Sequence, residues 1–211
     1  MLPSLSERLA QLPADLQPLA EAAWRHRVRG ANLRADGTVQ VGPMPWVSGE
    51  AFAFVIYPPA EPGWIAAARA RPGTVIPDSY AAVLAALNGC FAFGLALYGL
   101  APSLQRSPRR SDRHALEPLD LDAANHYWTH EYRGAAGEFH FGGSSWVDGE
   151  NVGYFVTPDR RYLCRRKDGQ VVQEWRSLRD LLADEVPAAE ARDRERLTSR
   201  RWPWEVKQGT A

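Results

Sequence analysis

The sequence predicts an α+β domain, a largely antiparallel central sheet flanked by helices. Three observations predict it. The elements run in the order helices, strands, helix, strand, helix, β-meander, helix. The second half carries short strands separated by the turn signals Thr157-Pro158-Asp159 and Lys167-Asp168-Gly169. Elsewhere lie segments with a helical apolar stripe, clearest in Asp78–Asn88, where Tyr80, Val83, Leu84 and Leu87 recur at i, i+3, i+4 and i+7.

Leu5, Leu9 and Leu12 have helical spacing, with Ser4 or Ser6 as the cap, and Pro13 interrupts. Leu16, Leu19, Ala20 and Ala23 continue a second amphipathic helix that ends in the basic run Arg25–Arg29. Asp36-Gly37 marks a turn before the strand Thr38–Val41. Phe52–Tyr57 is apolar on both faces, so a central strand covered on both sides is expected. Trp64–Ala70 is a short helix. Pro77 and Asp78 suit the start of the next helix, and Gly89 its left-handed end. Phe91–Tyr98 reads as one strand, with Phe91, Phe93, Leu95 and Leu97 on one face and Ala92, Gly94 and Ala96 on the other.

Gln105–Arg113 reads as a basic exposed loop. Leu121–Tyr132 is a helix capped by Asp120, with Leu121, Ala124, Trp128 and Tyr132 as its stripe. The meander follows as Phe139–Phe141, Val152–Val156, Tyr162–Cys164 and Val171–Trp175, with Asp168-Gly169 favouring a type I′ hairpin or a bulged variant. Ser177 caps a last helix bearing Leu178, Leu181, Leu182 and Val186, which Pro187 stops or kinks.

The 211 residues suit one domain, taken as 1–187, with a charged extension over 188–211 anchored by Leu197, Trp202 and Trp204. Hydrophobic residues make up 45%, enough for a sizeable core. Lys+Arg and Asp+Glu are 25 each, so no whole-molecule field draws the chain to nucleic acid or an anionic membrane. MLPSLSERLA has neither the basic start nor the apolar run of a signal peptide, and glycines punctuate the stretch Ala81–Ala101. Cys90 and Cys164 form no metal-ligand spacing and read as buried reduced thiols, which points to a cytoplasmic protein.

Each candidate for chemistry has a plainer reading. His126 and His130 stand at metal-ligand spacing, but both fall opposite Leu121 and Tyr132 on the helical wheel and should face solvent. Gly142-Gly143-Ser144-Ser145-Trp146 matches neither a nucleophile elbow nor a phosphate loop, and reads as a tight turn. The basic clusters are interleaved with acids, so a nucleic-acid partner is not expected. No metal site, cofactor or catalytic residue is expected. Of the eight tryptophans, Trp46 and Trp146 stand in loops and are the better interface candidates.

The series Val75-Ile76-Pro77-Asp78-Ser79-Tyr80, then Val83-Leu84 and Asn88-Gly89, resembles the opening motif of the SUKH superfamily, the Smi/Knr-type proteins. The similarity continues through Leu97-Tyr98-Gly99-Leu100, Asn125 and Trp128, Phe141-Gly142-Gly143, Asn151–Phe155, the Asp168-Gly169 hairpin and the Ser177–Leu182 helix. It covers about residues 60–187. It implies an α+β fold, no shared catalytic residues and, for bacterial members, an immunity protein that binds and blocks a toxin domain, often a nuclease or deaminase. The expected function is therefore a non-enzymatic protein-binding module of that kind. The alternatives are a regulatory or scaffolding interaction protein and a ligand-binding or enzymatic domain. The expected contact is the turn carrying Trp146, Asp148 and Glu150, an aromatic anchor with two carboxylates suited to an electropositive toxin site.

Overall fold

The computed structural model describes residues 4–48, 51–71, 75–100, 118–147 and 150–199. Gln105–Arg113, Asp148, Trp202 and Trp204 lie outside them. The N-terminal helix α1 (Leu5–Ala10) starts on a capping box: the Glu7 N–H donates to Ser4 Oγ, and the Ser4 N–H donates to Glu7 Oε2. A single 3₁₀ turn (Ala14–Leu16) follows Pro13 and leads into α2 (Gln17–His26). Leu16, Leu19, Ala20 and Ala23 are buried, as their spacing requires. A second 3₁₀ turn (Arg27–Arg29) then delivers the chain to the sheet.

Among the described residues nine strands pair in sequence order, and every pair is antiparallel. They are β1 (Ala31–Leu33), β2 (Val39–Pro43), β3 (Phe52–Ile56), β4 (Cys90–Ala92), β5 (Leu95–Leu97), β6 (Phe139–Val147), β7 (Glu150–Val156), β8 (Tyr162–Arg165) and β9 (Val171–Trp175). The helices are excursions from this meander. α3 (Pro62–Arg69) and α4 (Asp78–Ala86) lie between β3 and β4, and α5 (residues 121–131) lies between β5 and β6. The last, α6 (Leu178–Ser199), follows β9. In β3 both faces are covered, with Ala53, Phe54, Val55 and Ile56 all buried. On α4 the stripe Tyr80, Val83, Leu84 and Leu87 is buried as well.

Several elements differ from their sequence reading, which contained no strand at β1. The segment Phe91–Tyr98 is two strands joined at Phe93-Gly94, with φ of +50° and +93°. A left-handed phenylalanine is disfavoured by about 1–2 kcal/mol. Its ring is held edge-on by His26 at 5.0 Å and Phe54 at 5.1 Å, and these contacts offset the strain. Gly142–Trp146 is the interior of β6 and not a turn. A Cβ on Gly142 would sit 2.6 Å from the Ala96 carbonyl oxygen, and one on Gly143 would sit 2.7 Å from Tyr98 Oη. The glycines there serve close approach within the sheet. Finally, α6 runs through Pro187 to Ser199. Val186 and Ala189 are fully buried, while Pro187 and Ala183 are exposed. The carbonyl of Ala183 that Pro187 leaves without its helical donor is therefore open to water, and burial on the other face holds the helix together.

Helix α5 is composite. Leu121–Ala123 is α-helical, Ala124–Trp128 forms a π turn, and Thr129–Glu131 resumes the α form. Asp120 caps it by accepting the Asp122 N–H at 2.9 Å. Asn125 donates to the carbonyls of Leu121 (2.9 Å) and His140 (2.8 Å), while its Oδ1 accepts the His140 N–H (3.0 Å). The amide thus pairs with β6 as another strand would, and ties α5 to the sheet.

Three hairpins share one turn geometry. In each, the first residue accepts the N–H of the fourth and donates to the carbonyl of the fifth: Arg34 with Gly37 and Thr38, Thr157 with Arg160 and Arg161, Arg166 with Gly169 and Gln170. This is the bulged form of the Asp168-Gly169 hairpin, with only its glycine left-handed. The left-handed position is glycine in two of the turns (φ +87° and +89°) but Arg160 in the third (φ +64°). Arg160→Gly removes that strain at the expense of extra freedom in the unfolded chain, a net gain of about 0.5 kcal/mol. A chemical-denaturation midpoint that falls instead of rising would show that the exposed Arg160 side chain holds the turn.

Candidate interaction surface

An antiparallel meander places alternate turns at the same end of the sheet. Three of them are linked strand by strand here. Pro43 pairs with Phe52 across the β2–β3 connection, and the Phe93 N–H donates to the Ala53 carbonyl at 2.9 Å. The Ser145 N–H donates to the Gly94 carbonyl at 3.1 Å, and Val147 pairs with Glu150. The β2–β3 turn with Trp46, the Phe93-Gly94 turn and the β6–β7 turn therefore form one row. Both tryptophans singled out in the sequence belong to this end, Trp46 in the β2–β3 turn and Trp146 on strand β6, not in the loop the sequence reading gave it. Trp46 is 43% exposed. Glu150 is exposed at the first position of β7. Asp148 and the Trp146 side chain lie outside the described residues, so of the three predicted contact residues the structure places the Glu150 side chain alone.

The residues that carry the family resemblance do different work. Tyr80, buried on α4, donates its hydroxyl toward the carbonyls of Tyr98 (2.5 Å) and Phe141 (3.0 Å), bridging the ends of β5 and β6. Its phenol is pushed well above the usual tyrosine range by burial. Asn88 donates to the Leu100 carbonyl and accepts the Leu100 N–H, both at 2.7 Å. A Cβ on Gly99 would lie 2.3 Å from the Asn88 carbonyl oxygen, so only glycine fits beside that clamp. Each of these groups is used to close the backbone.

His126 and His130 are exposed on α5, as their wheel position requires, and His126 Nδ1 lies 3.0 Å from the Asp122 carbonyl oxygen. Cys90 and Cys164 are free and buried, and burial raises both thiols to about 12, which keeps them protonated and unreactive.

Three features went unread in the sequence. His140 is fully buried, stacked on Phe155 at 4.4 Å and edge-on to Tyr98 and Tyr132. Its alternation with Phe139 and Phe141 gave a strand but not an aromatic cage. Glu185 on α6 accepts the Tyr154 hydroxyl at 2.6 Å, and Arg192 reaches both Glu185 (3.3 Å) and Ser144 Oγ (3.1 Å). This cluster seats α6 across β6 and β7. The helical spacing of Glu185 and Arg192 was the available signal. A cavity of about 90 Å³ lies between Trp64, Arg71, Leu100, Asp120 and Asp122, with Arg71 ion-paired to Asp122. Its volume is well below the several hundred Å³ of ordinary small-molecule sites. Burial raises the Asp120 carboxyl above the usual range, against the opposing pull of the Ala123 N–H and Arg71.

No helix among the described residues is long and apolar enough to cross a membrane. No family model, curated protein or solved structure matches this chain.

Proposed function

We propose that this chain is a non-enzymatic protein-binding module, an immunity protein of SUKH type that binds and neutralises a toxin domain of the nuclease or deaminase class. One observation carries the reading: the resemblance-bearing side chains Tyr80, Asn88 and Asn125 are spent on backbone closure, while Trp46, Gly94 and Glu150 at one sheet end are exposed. A fold fastened this way can vary its turns without losing its frame, which suits a binder whose partner differs from one relative to the next. The β6–β7 turn faces an electropositive nucleic-acid site with Glu150 and Asp148 as the carboxylates and Trp146 as the anchor.

The test begins with capture of a partner by the purified chain, followed by co-expression of the captured toxin domain. Growth should stop with the toxin domain alone and resume when this chain is present. The variant Trp146→Ala/Asp148→Ala/Glu150→Ala should keep its melting temperature and lose at least tenfold in affinity, about 1.4 kcal/mol. Unchanged affinity removes this turn from the interface, and unrelieved growth arrest removes the immunity function.

A further inference from the structure

The basic run after α2 divides into two pairs with different environments. Arg25 and His26 both approach the Glu190 carboxylate on α6, at 3.9 and 3.2 Å. Arg27 and Arg29 have no carboxylate partner among the described residues, and each lies instead over a tryptophan. The Arg27 guanidinium carbon is 3.7 Å from the Trp24 ring centroid, and Arg27 also donates to the Trp24 carbonyl at 2.6 Å. The Arg29 guanidinium carbon is 5.1 Å from the Trp46 ring centroid, and Arg29 donates to the Pro43 carbonyl at 3.4 Å. Trp24 and Trp46 are 39% and 43% exposed, and Val28 between the arginines is 80% exposed. Two cations and three large apolar side chains therefore meet solvent around one 3₁₀ turn.

We propose that this arginine–tryptophan surface binds an acidic segment of a protein partner, with carboxylates on Arg27 and Arg29 and apolar side chains on Val28 and the indole edges. The inference rests on the protein-binding reading above and supplies the chemistry of a second contact. Each guanidinium gives one terminal nitrogen to a backbone carbonyl, Nη1 in Arg27 and Nη2 in Arg29, and keeps its other N–H groups for a carboxylate. Stacking and the carbonyl bonds fix both side chains beforehand, so less rotamer freedom is lost on binding. Arginine and tryptophan are also the residues that carry most interface energy. Nucleic acid fits less well, because Arg27 and Arg29 already take one face of each indole, and two phosphate contacts give little affinity. Trp46 belongs to the same sheet end as Glu150, so a partner spanning the row meets cations at one side and a carboxylate at the other, which fixes its orientation.

The indole N–H signals of Trp24 and Trp46 read this surface directly by NMR. The probes are a Glu/Leu peptide, its Gln/Leu counterpart, a single-stranded oligonucleotide of equal charge and phosphatidylglycerol vesicles. The acidic peptide should move both signals saturably, the Gln/Leu peptide should not, and Arg27→Gln/Arg29→Gln should weaken binding at least fivefold with an unchanged melting temperature. Signals that stay still with the acidic peptide, move equally with the neutral one, or respond more strongly to the oligonucleotide or vesicles overturn the proposal. No toxin enters this titration, so its failure and the failure of the immunity function are read separately.

Discussion

Leu84→Ala is expected to cost about 2–5 kcal/mol of stability, the span for removing a core leucine whose site relaxes only in part. Leu84 has no exposed surface, and Tyr80, Val83 and Leu87 beside it on the helix stripe are buried too. Its carbonyl accepts the Ala60 N–H at 2.8 Å, so the same turn of helix also anchors the chain leaving β3. Truncation should lower the urea midpoint with little change in slope, since the native surface stays the same. Leu84→Met keeps the volume and should cost less than about 1.5 kcal/mol. A loss below about 0.5 kcal/mol for the alanine variant would mean that α4 does not cover the core as described.

Acid should remove a comparable amount of stability through one residue. Burial among Tyr98, Tyr132 and Phe155 lowers His140 to about 4, against a weaker opposing pull from the Ala124 and Gly142 carbonyls and from Glu131. Nδ1 lies 3.3 Å from the Ala124 carbonyl oxygen, while Nε2, where a second proton would sit, has no hydrogen-bond partner. Above pH ~6.5 the imidazole is neutral in both folded and unfolded chains, and its contribution is complete. Below that the unfolded chain takes up a proton that the folded chain refuses until about pH 4. Stability therefore falls as pH drops through this window, by about 3 kcal/mol in all. His140→Phe keeps an aromatic ring in the cage and should flatten this part of the curve. The gap between wild type and variant should narrow by about 3 kcal/mol from pH 7 to pH 4 in denaturant melts. Parallel curves would show that the imidazole is hydrated in the folded state.

Both residues belong to the half of the fold that fastens the sheet, and neither lies in the row of turns proposed to meet a partner. A variant at Trp146, Asp148 and Glu150, or at Arg27 and Arg29, is expected to change binding with the melting temperature intact. Separation of the two classes in one set of melts and titrations is itself a check that surface and frame are independent.

Local residue patterns were enough for the fold class, the order of the helices and of the meander, and most element ends. Caps and turns act over three to five residues, so Ser4, Asp120 and Ser177 at helix starts and the Asp36-Gly37 and Asp168-Gly169 hairpins are written locally. The stripe on α4 and the two-faced apolar β3 are likewise periodic signals whose period names the element. Tertiary structure decided the rest, where a local preference was outweighed by contacts from elsewhere in the chain. Phe93 turns left-handed because rings from α2 and β3 hold it there. Gly142 and Gly143 extend β6, where carbonyl and hydroxyl oxygens of neighbouring segments leave no room for a side chain. Pro187 stays inside a helix because Val186 and Ala189 are buried beside it. The proposed interaction surfaces follow the same rule. The tryptophans and charges were visible as residue types, but their gathering at one end depends on strand register, a long-range property that no local window contains.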